Sequence, residues 1–440
     1  MEKEKIAIMG MGYVGLTLSV VLAKNGFEVY GIEIEKEVVE NLKKGEPHFH
    51  EKRLKAILRQ QLRLNNLKIC ESFPNEKIDI YIICVGTPLK KESKTSNIDY
   101  IRDVVLNVAG HMKRGSLIIL RSTIPVGTSR SVVLHLLEKQ SGLKAGKDFY
   151  FAFAPERTIE GNAILELETN PQIIGGFDER SVTLASDLFR KLTPTVINVS
   201  SLEASEMIKI LDNTYRDTVF AYANEIAMIC EKLNLDATEL INAANTHYSR
   251  NNIPNPSPGV GGACLSKDPH ILIDFAKRAG YDAKIIKESR RINEYIPIQI
   301  VSRIKAKLEE FNKNIRDAKI FIVGFAFKGE PETSDMRDST TLLFLDELKK
   351  YASDIHGFDP VVDNEQLKHL GIKVCETMGE GYSNADVILF LNNHRYYLDL
   401  EPFEICSKMN KPAIFYDAWR MFEKELFKNI EGIHYMGVGL

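Results

Sequence analysis

Three prolines and three glycines precede Cys264 in PNPSPGVGGACLSKDP, and Lys267 and Asp268 follow it where a helical stretch begins. A helix N-terminus or a nearby cation lowers a thiol's pKa and makes it nucleophilic, so Cys264 is the candidate nucleophile of the chain. The other five cysteines, Cys70, Cys84, Cys230, Cys375 and Cys406, are far apart and form no CxxC pair. That pattern disfavours a disulfide framework, zinc or an iron–sulfur cluster, and these thiols are expected to be reduced, buried and inert. His48 and His50 in PHFHEK lack a third ligand, read as solvated loop residues, and no metal is expected.

Lys209 and Asn213 stand four residues apart on a helical stretch, hence on one face. A cation beside an amide donor is suited to developing oxyanion charge. FAPERTIEG sets Glu156 and Glu160 four apart just after a strand, where acids can serve as acid, base or water-orienting groups if burial tunes them; helix capping is the plainer alternative.

Gly10, Gly12 and Gly15 in IAIMGMGYVGL form a GxGxxG between a strand and a helix, a phosphate-binding turn that also takes in Tyr13 and Val14. Glu33, at the end of FEVYGIE, is placed to accept from ribose hydroxyls and to repel a 2′-phosphate, which selects NAD over NADP. VGTP, with Thr87 and Pro88, and RSTIPVGT, with Thr123, each follow an apolar strand. Loops at the carboxyl ends of such strands line the ligand crevice of an open sheet.

These groups need a scaffold. From Lys5 to about Val199 the runs IAIM, FEVYGIE, IDIYIICVG, SLIILRST, FYFAFAP, PQIIGG and TVINVS alternate with helical stretches such as 99–111, 127–139 and 178–191, which predicts a mostly parallel, doubly wound sheet. From Ser201, SLEASEMIKILDNTYRDTVFAYANEIAMICEKLN lacks Gly and Pro and predicts one helix of about 30 residues. Shorter helices are expected after it. Strand grammar returns with KIFIVGFAFKG, SDIHGFDP, IKVCE, ADVILFLNN and PAIFYDAW. The fold class is α/β: two Rossmann-like doubly wound domains, 1–199 and 305–440, joined by an all-helical middle domain, 200–304, that carries the thiol loop.

The 440 residues suggest about three domains. With 57 basic against 60 acidic residues the net charge is −3, and the basic residues are scattered, so a nucleic-acid partner or polybasic membrane anchor is not expected. No apolar run reaches the roughly 18 residues of a membrane span. The opening MEKEKIAIMGMG does not read as a signal peptide, and a cytoplasmic location is expected.

Taken in order, GMGYVGL, VGTP, STIPVGT, APERTIEG, Lys209 with Asn213, GVGGACLSKD and GFAFKG followed by SDMRDS resemble the UDP-glucose/GDP-mannose dehydrogenases, the nucleotide-sugar 6-dehydrogenases. The resemblance implies a four-electron oxidation of a sugar C6 alcohol to a carboxylate with two NAD, on a UDP-sugar, in a homodimer paired through the long helix. It implies that Cys264 forms a thiohemiacetal and then a thioester, that Lys209 and Asn213 hold the oxyanion, and that Asp268, Thr123 and Glu156 orient water and move protons. It places Glu160, Gly261, Phe327 and Lys328 at the substrate, Arg250 at the substrate across the dimer, and Arg337 at cofactor phosphate. Two departures stand out: Ser266 occupies a position where Pro is common, and EPETSD lengthens the loop before Arg337 by about two residues.

PERTIEG, HYSR, PSPGVGGAC and NNH look closer to the enzymes for 2-acetamido sugars, so UDP-N-acetyl-D-mannosamine is the expected substrate, then UDP-N-acetylglucosamine or UDP-N-acetylgalactosamine, and last UDP-glucose. His394 is a candidate for tuning that site, with a surface-loop histidine as the plainer reading. A single-hydride dehydrogenase of the 3-hydroxyacid type would have no use for Cys264 or for a second α/β domain. A non-catalytic NAD or nucleotide-sugar sensor would have no use for Cys264, Lys209 and Asp268.

Overall fold

The computed structural model describes residues 3–90 and 95–440. The chain packs as two compact units, Met1–Asp212 with His270–Tyr281, and Asn213–Pro269 with Asp282–Leu440.

In the first unit β1 (Lys5–Met9), β2 (Glu28–Ile32), β3 (Leu67–Cys70), β4 (Ile80–Ile83), β5 (Leu117–Leu120), β6 (Tyr150–Phe153), β7 (Gln172–Gly176) and β8 (Val196–Asn198) form one sheet. Its order is β3-β2-β1-β4-β5-β6-β7-β8. The runs IAIM, IYII and LIIL are apolar at every position because helices cover both faces. Successive residues serve opposite cores: Ile6 and Ile8 pack with Leu16 and Val20, while Ala7 and Met9 pack with Ile83 and Ile118. All pairs are parallel except β6 with β7. The expected helix 99–111 is present as Asp99–His111, and 178–191 as Glu179–Arg190, where the Asp178 carboxylate accepts from the Ser181 N–H. The stretch 127–139 starts as a π-helical Ser129–Leu134 and continues as α-helix His135–Ser141.

In the second unit β9 (Lys319–Val323), β10 (Asp354–Phe358), β11 (Lys373–Val374), β12 (Val387–Phe390), β13 (Ala413–Asp417) and β14 (Ile433–Gly437) form a parallel sheet in the order β11-β10-β9-β12-β13-β14. Two strands escape the sequence reading, β3 and β14. Each is short and sits beside a strand that supplies its hydrogen bonds, so pairing rather than composition makes it a strand.

The long helix runs Leu202–Leu233, 32 residues. The helices that follow are shorter, as expected; Lys284–Glu310 is a single helix of 27 residues with Pro297 inside. Proline reads as a breaker because it removes an N–H and crowds the preceding turn. Here Ile296, Ile300, Val301, Ile304 and Leu308 are all buried on the core of the second sheet, and that packing outweighs the local preference. No helix among the described residues is long and apolar enough to cross a membrane.

Candidate active site

The glycine turn of the first unit is built by its own backbone. Gly10 has φ +89° and donates its N–H to Ile32 O at 2.9 Å. A Cβ at Gly15 would run into the Gly10 carbonyl, so helix Tyr13–Lys24 can cross the strand this closely only with glycine there. Gly12 differs, since a Cβ there would meet nothing within 4 Å and its backbone is extended. No side chain caps the helix that begins at Tyr13, so its first N–H groups face outward with their positive partial charge. Val14 packs partly buried against the core. Glu33 accepts from the Met11 N–H at 2.8 Å and from those of Ile34 and Glu35, which fixes its carboxylate beside the turn.

Two more loops meet at this end of the sheet. The Thr87 hydroxyl donates to Thr123 O, joining VGTP to STIPVGT, and the Asn97 N–H donates to Pro88 O at 2.8 Å. Glu206 of the long helix accepts from the Gly127 and Ser129 N–H groups and anchors the second loop.

Glu156 is buried against Arg121, whose Nη2 donates to Oε2 at 2.6 Å while Nη1 donates to Ala154 O and Gln172 Oε1. Burial alone would push the Glu156 carboxyl up. Arg121, the Thr158 hydrogen bonds and Lys209 outweigh it and hold the carboxyl at about 2. Near neutral pH Glu156 is therefore an anion that accepts and orients and has no proton of its own to give. Lys209 is itself 8% exposed and has no hydrogen-bond or ion-pair partner among the described residues. Glu160 lies next to Gly161, whose N–H donates to the Tyr13 hydroxyl and to Glu51; Tyr13 in turn donates to Glu51. Burial, then the Glu51 carboxylate, raise the Tyr13 phenol far above its usual range.

The second unit carries the thiol. The Lys267 and Asp268 N–H groups donate to Cys264 O at 3.2 and 2.9 Å, closing the turn from which helix Asp268–Arg278 starts. Asp268 is fully buried, accepts from Asn213 Nδ2 at 2.6 Å and pairs with Lys267 at 2.6 Å. The Lys267 charge thus neutralises Asp268. Of the six cysteines Cys264 alone is exposed. Burial pushes the thiols of Cys70, Cys230 and Cys375 up, and those of Cys84 and Cys406 up to about 12.

A Cβ at Gly261 would run into Asp338 O, and one at Gly262 would lie 2.6 Å from the Phe327 ring, so the thiol loop lies flat on the loop that follows β9. Ser266 uses what proline lacks: its N–H and its hydroxyl both donate to Gly262 O, and the hydroxyl reaches Asp338 at 3.2 Å. Lys328 Nζ lies 5.5 Å from the Phe327 ring centre. Arg337 is exposed and pairs in a fork with Asp335, a residue supplied by the lengthened EPETSD loop. Arg250 stacks on Tyr248 at 4.8 Å in an exposed loop. His394 is not a surface histidine: it is buried, its Nδ1 accepts from the Tyr396 N–H, and Nε2 lies 3.3 Å from Glu332. It lies under the loop after β9 because Gly329 and Glu330 dock there on Asn393.

Residues 4–193, 203–295 and 321–424 match the NAD binding, central and UDP binding domains of the UDP-glucose/GDP-mannose dehydrogenase family. The chain belongs to this family. It is 36% identical over 391 residues, 89% of each chain, to a UDP-N-acetyl-D-mannosamine dehydrogenase of Pyrococcus horikoshii, and 33% identical over 414 residues to one of Campylobacter jejuni, covering 92% of this chain and 98% of that one. A solved UDP-D-ManNAc dehydrogenase from P. horikoshii superposes with a TM-score of 0.89 at 32% identity over 99% of both chains.

The chain is thus an NAD-dependent oxidoreductase of the nucleotide-sugar dehydrogenase class. The residues of the first unit fit the dinucleotide: open space at Gly12, an uncapped helix start and a carboxylate at the end of β2 are what a pyrophosphate and a ribose diol require.

Sequence reasoning passed over Arg121, Glu51, Asp217, Arg290 and Asp359. Arg121 and Asp359 do carry a signal, a charged residue at the end of a strand as in LIILR and DIHGFD, whereas Glu51, Asp217 and Arg290 stand in polar stretches. That signal says the group is buried and paired, and leaves its partner unnamed.

Proposed function

We propose that this enzyme oxidises the C6 alcohol of UDP-N-acetyl-D-mannosamine to UDP-N-acetyl-D-mannosaminuronate. The observation that carries the chemistry is Cys264, the exposed thiol at the start of a helix whose first residue, Asp268, is held by Asn213. The names of the most similar relatives support the sugar.

NAD supplies the hydride acceptor, two equivalents per alcohol. First C6 loses a hydride and its hydroxyl a proton, giving the aldehyde. The Cys264 thiolate then adds to that carbon, and the thiohemiacetal oxygen takes its charge near Lys209 and Asn213. Loss of a second hydride leaves a thioester. Water cleaves it, releasing the carboxylate and returning the thiol. Glu156, ionised against Arg121, orients the water or a hydroxyl, with Thr123 as a hydroxyl relay and Asp268 as the proton acceptor.

Gly10, Gly12, Tyr13, Val14, Gly15, Glu33, Thr87, Pro88, Thr123 and Arg337 are assigned to the cofactor; Glu160, Arg250, Gly261, Phe327 and Lys328 to the UDP-sugar. The three segments 1–199, 200–304 and 305–440 are taken as cofactor, central and nucleotide-sugar domains. Two copies pair through the long helix, where Leu211, Tyr215, Tyr222, Ile229 and Leu233 form an exposed apolar stripe with a seven-residue step at Tyr215, Tyr222 and Ile229. Such a stripe suits a second copy of itself.

The test is NADH yield from UDP-N-acetylmannosamine, UDP-N-acetylglucosamine, UDP-N-acetylgalactosamine, UDP-glucose and GDP-mannose. Two NADH per sugar, with UDP-N-acetylmannosamine highest in kcat/KM, is expected. UDP-glucose as the best substrate would overturn the sugar assignment. One NADH per sugar would overturn the two-step route, and binding without NADH would make the chain a sensor.

A further inference from the structure

The second unit buries a row of polar side chains where apolar packing would ordinarily sit. Asp217 and Asn224 of the long helix and Asn293 of helix Lys284–Glu310 are fully buried, and Arg290 is 2% exposed. Arg290 connects them to the thiol loop. Its Nη1 lies 2.9 Å from Asp217 Oδ1 and donates to Leu265 O at 2.9 Å, while Nη2 donates to Val260 O at 2.9 Å. Those two carbonyls flank Cys264. Asn293 Nδ2 donates to Asp217 Oδ1 and to its carbonyl, Asn224 Nδ2 donates to Asn293 Oδ1, and Asn224 Oδ1 accepts from the Ser257 N–H at the start of the loop. The remaining nitrogen, Nε, lies 3.8 Å from Glu294.

A buried ion pair adds little net stability, because the loss of hydration offsets most of the attraction. What it fixes is geometry. A planar guanidinium presents its donors at set angles, so one side chain that reaches carbonyls on both sides of Cys264 fixes their separation and the direction of the peptide between them. An ammonium, a point charge on a flexible stem, cannot hold Val260 O, Leu265 O and Asp217 in that pattern.

We propose that Arg290, neutralised by Asp217, is a positioning residue that sets the Cys264 peptide in its reactive geometry before substrate arrives. This rests on Cys264 being the nucleophile. Of the residues assigned to NAD only Arg337 belongs to this unit; the glycine turn and Glu33 belong to the other.

The experiment compares full-length wild type with Arg290→Lys, reading hydrogen exchange across Ser257–Asp268, kcat, KM for NAD and the melting temperature. In Arg290→Lys the amides of Gly262, Ser266, Lys267 and Asp268 should exchange about tenfold faster or more while β9, β10, β12 and β13 keep their protection. The kcat should fall roughly 10- to 100-fold, the size of effect expected for a misplaced reacting group, with KM for NAD within about twofold. In Arg290→Ala, millimolar guanidinium should restore part of both the protection and the kcat.

Wild-type exchange and kcat in Arg290→Lys would overturn the proposal. So would faster exchange throughout the second unit with a kcat loss matching the unfolded fraction. If Arg290→Lys does not fold, Asp217→Asn, which keeps an acceptor for Asn293, provides the same readouts. The exchange measurement needs no substrate: a wild type that forms no acid refutes Cys264 as nucleophile, whereas an unchanged loop in Arg290→Lys refutes the clamp.

Discussion

The two sheets make the same turn and use it differently. In each, a glycine with positive φ follows the first strand and donates to the end of the second: Gly10 to Ile32 O, and Gly324, at φ +96°, to Phe358 O at 3.0 Å. In each, a carboxylate just beyond the second strand accepts from the turn: Glu33 from Met11, and Asp359 from Phe325 and Ala326. There the likeness ends. Helix Tyr13–Lys24 follows its turn at once and is uncapped, while helix Thr340–Leu348 begins only after the loop carrying Phe327, Lys328 and Arg337, and Ser339 caps it by accepting from the Thr341 N–H. Asp359 is 5% exposed and also accepts from Val361 and Val362, so its acceptors are filled by the protein. A turn that runs straight into a helix leaves backbone donors for a phosphate; one followed by an inserted loop leaves recognition to side chains.

The largest effect should separate the units by function. Cys264→Ala should lose about 10³-fold or more of acid formation, the magnitude typical of a missing nucleophile or oxyanion partner, while NAD affinity, assigned mainly to residues of the first unit, stays at wild type. Isothermal titration with NAD and the NADH yield measure the two halves. Wild-type turnover to the acid in Cys264→Ala would break the assignment of the nucleophile to the second unit.

Next in size is the pair of carboxylates. Asp359→Ala strands four N–H groups, three of them buried, and should cost roughly 3 kcal/mol or more, seen as a lower melting temperature with NAD affinity unchanged. Glu33→Ala should cost about 1 kcal/mol of stability, because water reaches two of its three partners, the N–H groups of exposed Ile34 and Glu35, and should narrow the preference for NAD over NADP by about tenfold. Equal stability losses in the two variants would mean that both carboxylates serve only the turn.

The finest distinction lies between glycines. Gly12→Ala meets no protein atom and should keep its melting temperature while weakening NAD by roughly 1–2 kcal/mol through contact with the pyrophosphate. Gly324→Ala, with φ +96° and Asn392 at 2.5 Å from the added Cβ, should lose about 1–3 kcal/mol of stability and keep NAD affinity. Reversed outcomes would mean that space at Gly12 serves folding.

By itself the sequence determined whatever is written in local periodicity and spacing. Apolar runs buried on both faces read directly as the central strands β1, β4, β5, β9, β12 and β13, and 32 residues without Gly or Pro read as the long helix. Gly10, Gly12 and Gly15 with Glu33, and Cys264 with Asp268, were legible because each set lies within one turn or one βαβ unit. The tertiary structure decided what depends on a partner distant in sequence. β3 and β14 are strands because a neighbour pairs with them, and Pro297 sits inside a helix because its apolar face is buried on the second core. Glu156 is an anion because Arg121, 35 residues away, is buried with it. Arg290 reads as one more helical arginine until the fold places Asp217 and two loop carbonyls around it. The physical reason is common to all of these. Periodicity records how much apolar surface an element must bury, whereas the charge state and role of a buried polar group are set by which opposite group lies within about 3 Å, and only the packed chain fixes that.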